Sequence, residues 1–132
     1  MKERSIMQRA FIAWGAVLSM LAVAIGAFGA HLLEPVISEH YMKVYETGVQ
    51  YHMFHALGLI LIALIAGQWG ESARLRWAGR LLGTGIVLFS GSLYVLSISG
   101  IKVLGAITPL GGVCFIAGWL CLTLEAISRK RA

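Results

Sequence analysis

Apolar positions in this chain gather into four long blocks, at about 10–30, 53–69, 81–100 and 106–127. A helix rises about 1.5 Å per residue, so about 20 residues cross the roughly 30 Å hydrocarbon core of a bilayer. Each block therefore predicts a transmembrane helix. The polar positions fall between blocks. Pro35 follows the first block and is expected to stop it. From Val36 to Tyr51 the pattern is amphipathic, with Val36, Ile37, Val44 and Tyr45 interleaved with Glu39, His40, Lys43, Glu46 and Gln50. That segment predicts either a short helix lying at the outer interface or an outward extension of the second span, with Gly48 as a place to bend. Ser72 is placed to cap a turn carrying Arg74 and Arg76. The turn near Gly100 to Gly105 is so short that the third and fourth spans must be antiparallel neighbours. The predicted fold is an all-α membrane protein: one domain over residues 1–132, an antiparallel four-helix bundle with the amphipathic outer segment between helices 1 and 2.

Composition agrees with a lipid-embedded chain. Of 132 residues, 58% are hydrophobic and only 13% charged, too little polar surface for a soluble domain. The net charge of +5 points to topology rather than nucleic acid. Lys2, Arg4 and Arg9 precede the first span, Arg74, Arg76 and Arg80 separate the second and third, and Arg129, Lys130 and Arg131 follow the fourth. The other two connections hold only Lys43 and Lys102. Basic clusters resist translocation, so both termini are expected in the cytoplasm of a cell with this protein in its plasma membrane. Trp69 and Trp77 fall at the cytoplasmic interface, whereas Trp14 and Trp119 fit either an aromatic belt or helix packing. The first span also has the basic start and small residues of a secretory signal, but its apolar run is longer, and it is expected to stay as a span. Cys114 and Cys121 are seven apart on one helix, about 10 Å of rise, too far for a disulfide.

Burial of apolar surface does not drive helices together in lipid; close packing and interhelical hydrogen bonds do. Two stripes of small residues are therefore expected at contacts: Ala22, Gly26 and Ala30 in the first span, and Gly111, Cys114, Gly118 and Cys121 in the fourth. Glu125 continues the second stripe near the cytoplasmic surface, where Arg80, Arg9 or Arg74 is expected to pair with it, Arg80 foremost.

The remaining polar residues concentrate in the outer half. They are His31, Thr47, Gln50, Tyr51 and His55 from the first two spans, then Ser90, Ser92, Tyr94 and Thr108. A polar group in lipid must find a partner, a water-filled cavity or a ligand. Three readings compete: a hydrogen-bonded plug, a pocket for a lipid head group or other amphiphile, and a metal or haem site using His31, His52 or His55 with Glu46. His52 and His55 are only three apart and no metal-ligand signature frames them. His40 reads as a solvated surface residue.

Taken together, Gly26-Ala27-Phe28-Gly29-Ala30-His31, Thr47-Gly48 with Tyr51 and His55, Phe89-Ser90-Gly91-Ser92-Leu93-Tyr94, Thr108-Pro109-Leu110-Gly111-Gly112 and Gly118-Trp119 form a specific pattern. In these motifs the chain resembles domain of unknown function family 423 along nearly its whole length. The resemblance implies a multi-pass membrane protein and places the outer-half polar residues within the family pattern; it implies no reaction or ligand. His52 stands where the family usually carries glutamine, which weakens a metal site that needs it. The sequence supports a non-enzymatic membrane protein, acting as a small assembly, ligand-binding or lipid-binding partner. A transporter or channel subunit is the alternative, and a metal or haem protein the second. No catalytic set is present, because the chain has no Asp and only Glu46 could orient a histidine. No cofactor or resident metal is called for. The expected partners are membrane lipids, with a possible homo-oligomer or larger membrane complex, and not nucleic acid.

Overall fold

A computed structural model describes residues 5–129. Lys2, Arg4, Lys130 and Arg131, counted above in the basic clusters, lie outside the described residues. Four helices are long and apolar enough to cross a membrane: α1 (Ile6–Leu33), α2 (Glu39–Trp69), α3 (Ala73–Ser99) and a fourth, within Lys102–Ser128, whose α-helical part is α4 (Thr108–Ser128). No strand occurs among the described residues. The protein is thus an all-helical, four-span membrane bundle.

Local chemistry sets the helix ends. Ser5 and Gln8 cap α1 reciprocally, each side chain accepting from the other's backbone N–H at 3.1 Å. Ser38 and Ser72 cap α2 and α3 by accepting from Tyr41 and Leu75, each at 3.1 Å. The α3–α4 turn is made by Gly100 in the left-handed region (φ 72°), where a side chain would be strained, followed by a 3-10 turn at Lys102–Ala106.

The amphipathic segment takes the second of its two expected forms. From Glu39 it is continuous with the second span. Gly48 makes no break there. Its missing side chain admits the Tyr94 ring, since an added β-carbon would lie 2.8 Å from Tyr94 Cε1. Helices α1 and α3 each contain a turn of π-helix, at Gly29–Leu33 and Ile86–Ser90.

The helices pack in chain order: α1 on α2, α2 on α3, and α3 on α4. Two apolar clusters result. The larger sits toward the termini and holds Ile62, Ala66, Leu75, Ala78, Leu82 and Phe115. The smaller, at the distal end away from the termini, holds Leu33, Met42 and Tyr45. On α2 the stretch between these clusters carries His52 and His55, both buried.

The small-residue stripes act unevenly. Gly118 packs on α3, where an added β-carbon would lie 2.8 Å from Leu82 Cδ2 and 3.2 Å from the Ala78 carbonyl. Gly111 faces the Phe89 backbone, and Cys121 packs against the larger cluster. Cys114 is half-buried, and both cysteines are free thiols. In α1, Ala22 is buried and Gly26 touches Val49, but Ala30 is exposed. The close contacts there belong instead to Gly15, against Ala56 and Ile60, and to Gly29, against the Tyr45 ring. After Gly26 the contact steps three residues to Gly29 instead of four, an ordinary helical spacing, so the four-residue stripe does not carry through to Ala30.

Of the arginines expected to pair with Glu125, Arg74 does so and Arg80 does not. Glu125 is buried and meets Arg74 at 3.7 Å and Arg129 at 3.4 Å. Arg80 lies over the Trp77 ring at 5.3 Å. Arg74 also donates to Ser128, and Arg129 donates to the Trp69 carbonyl while covering the Trp69 ring. These bonds tie together the ends of α2, α3 and α4 that lie toward the termini.

Candidate functional site

The outer-half polar residues come to three places. The first is a buried layer across α2, α3 and α4. Tyr94 and His52 share a hydrogen bond of 2.8 Å between the hydroxyl and Nδ1. Ser90 donates to the Gly48 carbonyl at 2.7 Å, and Ser92 bonds Thr108 at 2.6 Å. His55 is held at both nitrogens. Nδ1 lies 2.7 Å from the Tyr51 carbonyl, which only accepts, so Nδ1 carries the proton. Nε2 then accepts from Trp119 Nε1 at 3.0 Å. The imidazole stacks on Phe115 with ring centres 3.6 Å apart. Trp119 is therefore a packing residue. Trp14, which is 63% exposed, points away from the bundle.

Among the described residues, two buried side-chain polar atoms have no hydrogen-bond partner: His52 Nε2 and Ser19 Oγ. Nothing in the sequence marked Ser19, a single hydroxyl inside an apolar helix.

The second place is the surface. His31, His40 and Thr47 are exposed, and Thr47 bonds back to the Lys43 carbonyl. Tyr51 is 40% exposed and lays its ring on Phe89. A histidine cluster therefore does not assemble: His31 is outside, His55 has both nitrogens occupied, and Glu46 lies on another face. Among the described residues no group of three or more His, Cys, Asp or Glu is placed to hold a metal ion.

The third place is a groove of about 400 Å³ between α1 and α2 at the distal end. Gly26 and Ala30 line it from α1; Met42, Tyr45, Glu46, Val49 and Gln50 line it from α2. Of the outer-half polar set Gln50 faces this space, together with Glu46, the acid of the metal reading, one turn away. Tyr45 fixes one wall, donating its hydroxyl to the Ile25 carbonyl at 2.5 Å. The groove exists because α1 offers small residues where α2 offers larger ones. The same Gly26 and Ala30 read earlier as a packing stripe are the part of that stripe left partly uncovered.

The fold and this site define a class: a small multi-pass membrane bundle with a polar layer inside and an open groove at its distal end. The family profile for a protein of unknown function, DUF423, matches residues 25–112, and this chain belongs to that family. The UPF0382 membrane protein YwdK of Bacillus subtilis is 52% identical over 90% of this chain and 97% of its own length. A UPF0382 membrane protein of Staphylococcus haemolyticus is 53% identical over 87% of this chain and 93% of its own. No solved structure matches the chain.

Proposed function

We propose that this protein is a non-enzymatic plasma-membrane protein that binds an amphiphile from the outer leaflet in the α1–α2 groove, with both termini in the cytoplasm. The basic residues support the orientation: Arg74, Arg76, Arg80 and Arg129 fall at the end that carries the termini, and the distal end holds only Lys43 and Lys102. The observation that carries the binding reading is the groove itself, apolar along Gly26, Ala30 and Val49 and polar at Glu46 and Gln50. Depth agrees with it. With Trp69 at one interface, the 19 residues back to Gln50 rise about 29 Å, which brings Gln50 to the opposite edge of the hydrocarbon. Glu46 then lies one turn further out, among head groups.

A transporter fits less well. Between the buried polar layer and the Glu125 ion pairs at the terminal end the interior is apolar, with Ile62, Ala63, Ala66, Leu75 and Leu82 fully or nearly fully buried. A permeating polar solute finds no partner there. The polar layer is read as structure, holding helix register through side-chain hydrogen bonds.

Ala30→Trp tests the reading, because Ala30 lines the groove and is exposed, so an indole there fills the groove without entering the core. In native mass spectrometry from membrane extracts, wild type is expected to retain phospholipid and Ala30→Trp to lose it. Equal lipid retention by the two proteins, or none by wild type, overturns the proposal.

A further inference from the structure

Resting on that reading, we infer that the groove selects lipids whose head group carries a primary ammonium, with Glu46 and Gln50 as the recognising residues. Glu46 is a carboxylate beside an apolar groove, and among the described residues no salt bridge engages it. Lys43, one turn away on the same helix, makes no ion pair with it. An unpaired carboxylate at the head-group boundary, where the dielectric is falling, is stabilised by a cation that brings its own N–H donors.

Gln50 lies one helical turn closer to the hydrocarbon and lines the same groove. Its amide oxygen supplies a second acceptor on the face that Glu46 presents. The surrounding charge has the same sign. From His31 to His52 the chain carries Glu34, Glu39 and Glu46 against Lys43 alone, a formal −2 with histidines neutral. That hairpin repels anionic head groups and attracts cationic ones. The apolar wall of Gly26, Ala30 and Val49 runs toward the membrane interior, where the acyl chain of the same lipid lies.

Both parts of the inference follow from chemistry. A primary ammonium offers three N–H donors to the two acceptors. A quaternary ammonium offers charge but no donor and is a poorer match. A phosphoglycerol head group keeps its negative charge uncompensated and is repelled.

The test reconstitutes full-length protein in vesicles of equal phosphatidylethanolamine, phosphatidylcholine and phosphatidylglycerol and identifies the retained lipid by native mass spectrometry. Wild type is expected to enrich phosphatidylethanolamine over phosphatidylcholine about fivefold, the scale of one exposed ion pair. Glu46→Gln is expected to lose the enrichment among whatever lipid it retains, and Glu46→Lys to shift it toward phosphatidylglycerol. Lipid retained by wild type without head-group preference, or a preference that survives in Glu46→Gln, overturns the inference while the groove stands. Failure of wild type to retain any lipid removes the groove reading, and this inference with it.

Discussion

At the scale of single residues, the side chains of the polar layer mostly satisfy one another. Tyr94 illustrates the cost of disturbing it. His52 Nε2 already lacks a partner, so Tyr94→Phe leaves the buried imidazole with no side-chain hydrogen bond at all. Interhelical hydrogen bonds in membranes contribute about 0.6 kcal/mol on average and up to roughly 1.7. An unsatisfied buried group pushes the cost toward the upper figure. Thermal unfolding in detergent should place Tyr94→Phe below wild type by about 1–2 kcal/mol. Thr47→Ala, at an exposed residue that only bonds its own helix, should be indistinguishable from wild type. The types and rough depth of these residues were legible in the sequence, because polar side chains stand out against an apolar block. The pairing was not. His52 with Tyr94 and His55 with Trp119 join residues 42 and 64 apart, so only the packing of α2 on α3 and α4 decides them.

At the scale of helices, contact depends on a few glycines and not on small residues in general. Gly111 meets the backbone of Phe89, which cannot move aside as a side chain can. Gly118 meets Leu82 and the Ala78 carbonyl. By contrast, a β-carbon added at Gly83 finds nothing within 4 Å. Gly111→Ala and Gly118→Leu should each lower the melting temperature sharply. Gly83→Ala should leave it unchanged or slightly raised, since alanine is favoured over glycine within a helix. Equal stability of Gly118→Leu and wild type would refute the α3–α4 packing. The α4 stripe was readable because α4 is regular from end to end. The α1 stripe was only half readable, because after Gly26 the contact passes to Gly29 and leaves Ala30 lining the groove.

At the scale of the whole molecule, charge sets direction while packing sets shape. Glu125 draws Arg74 and Arg129 together and ties three helix ends. In a background with Cys114 and Cys121 replaced by alanine, a membrane-impermeant thiol reagent applied to intact cells should label Lys102→Cys in the distal turn. Glu71→Cys in the α2–α3 connection should react only after permeabilisation. The reverse pattern would invert the orientation and move the groove to the inner leaflet.

The amino-acid sequence by itself determined four spans, their antiparallel order and the end that carries the basic residues. Those properties depend on runs of apolar residues and on charge counts, which are local and additive along the chain. The tertiary structure alone decided that Glu125 meets Arg74 and Arg129, that two histidines are held by Tyr94 and Trp119, and that Ala30 lines an open groove. Each depends on the rotation of one helix against another, and that rotation leaves no mark in hydropathy.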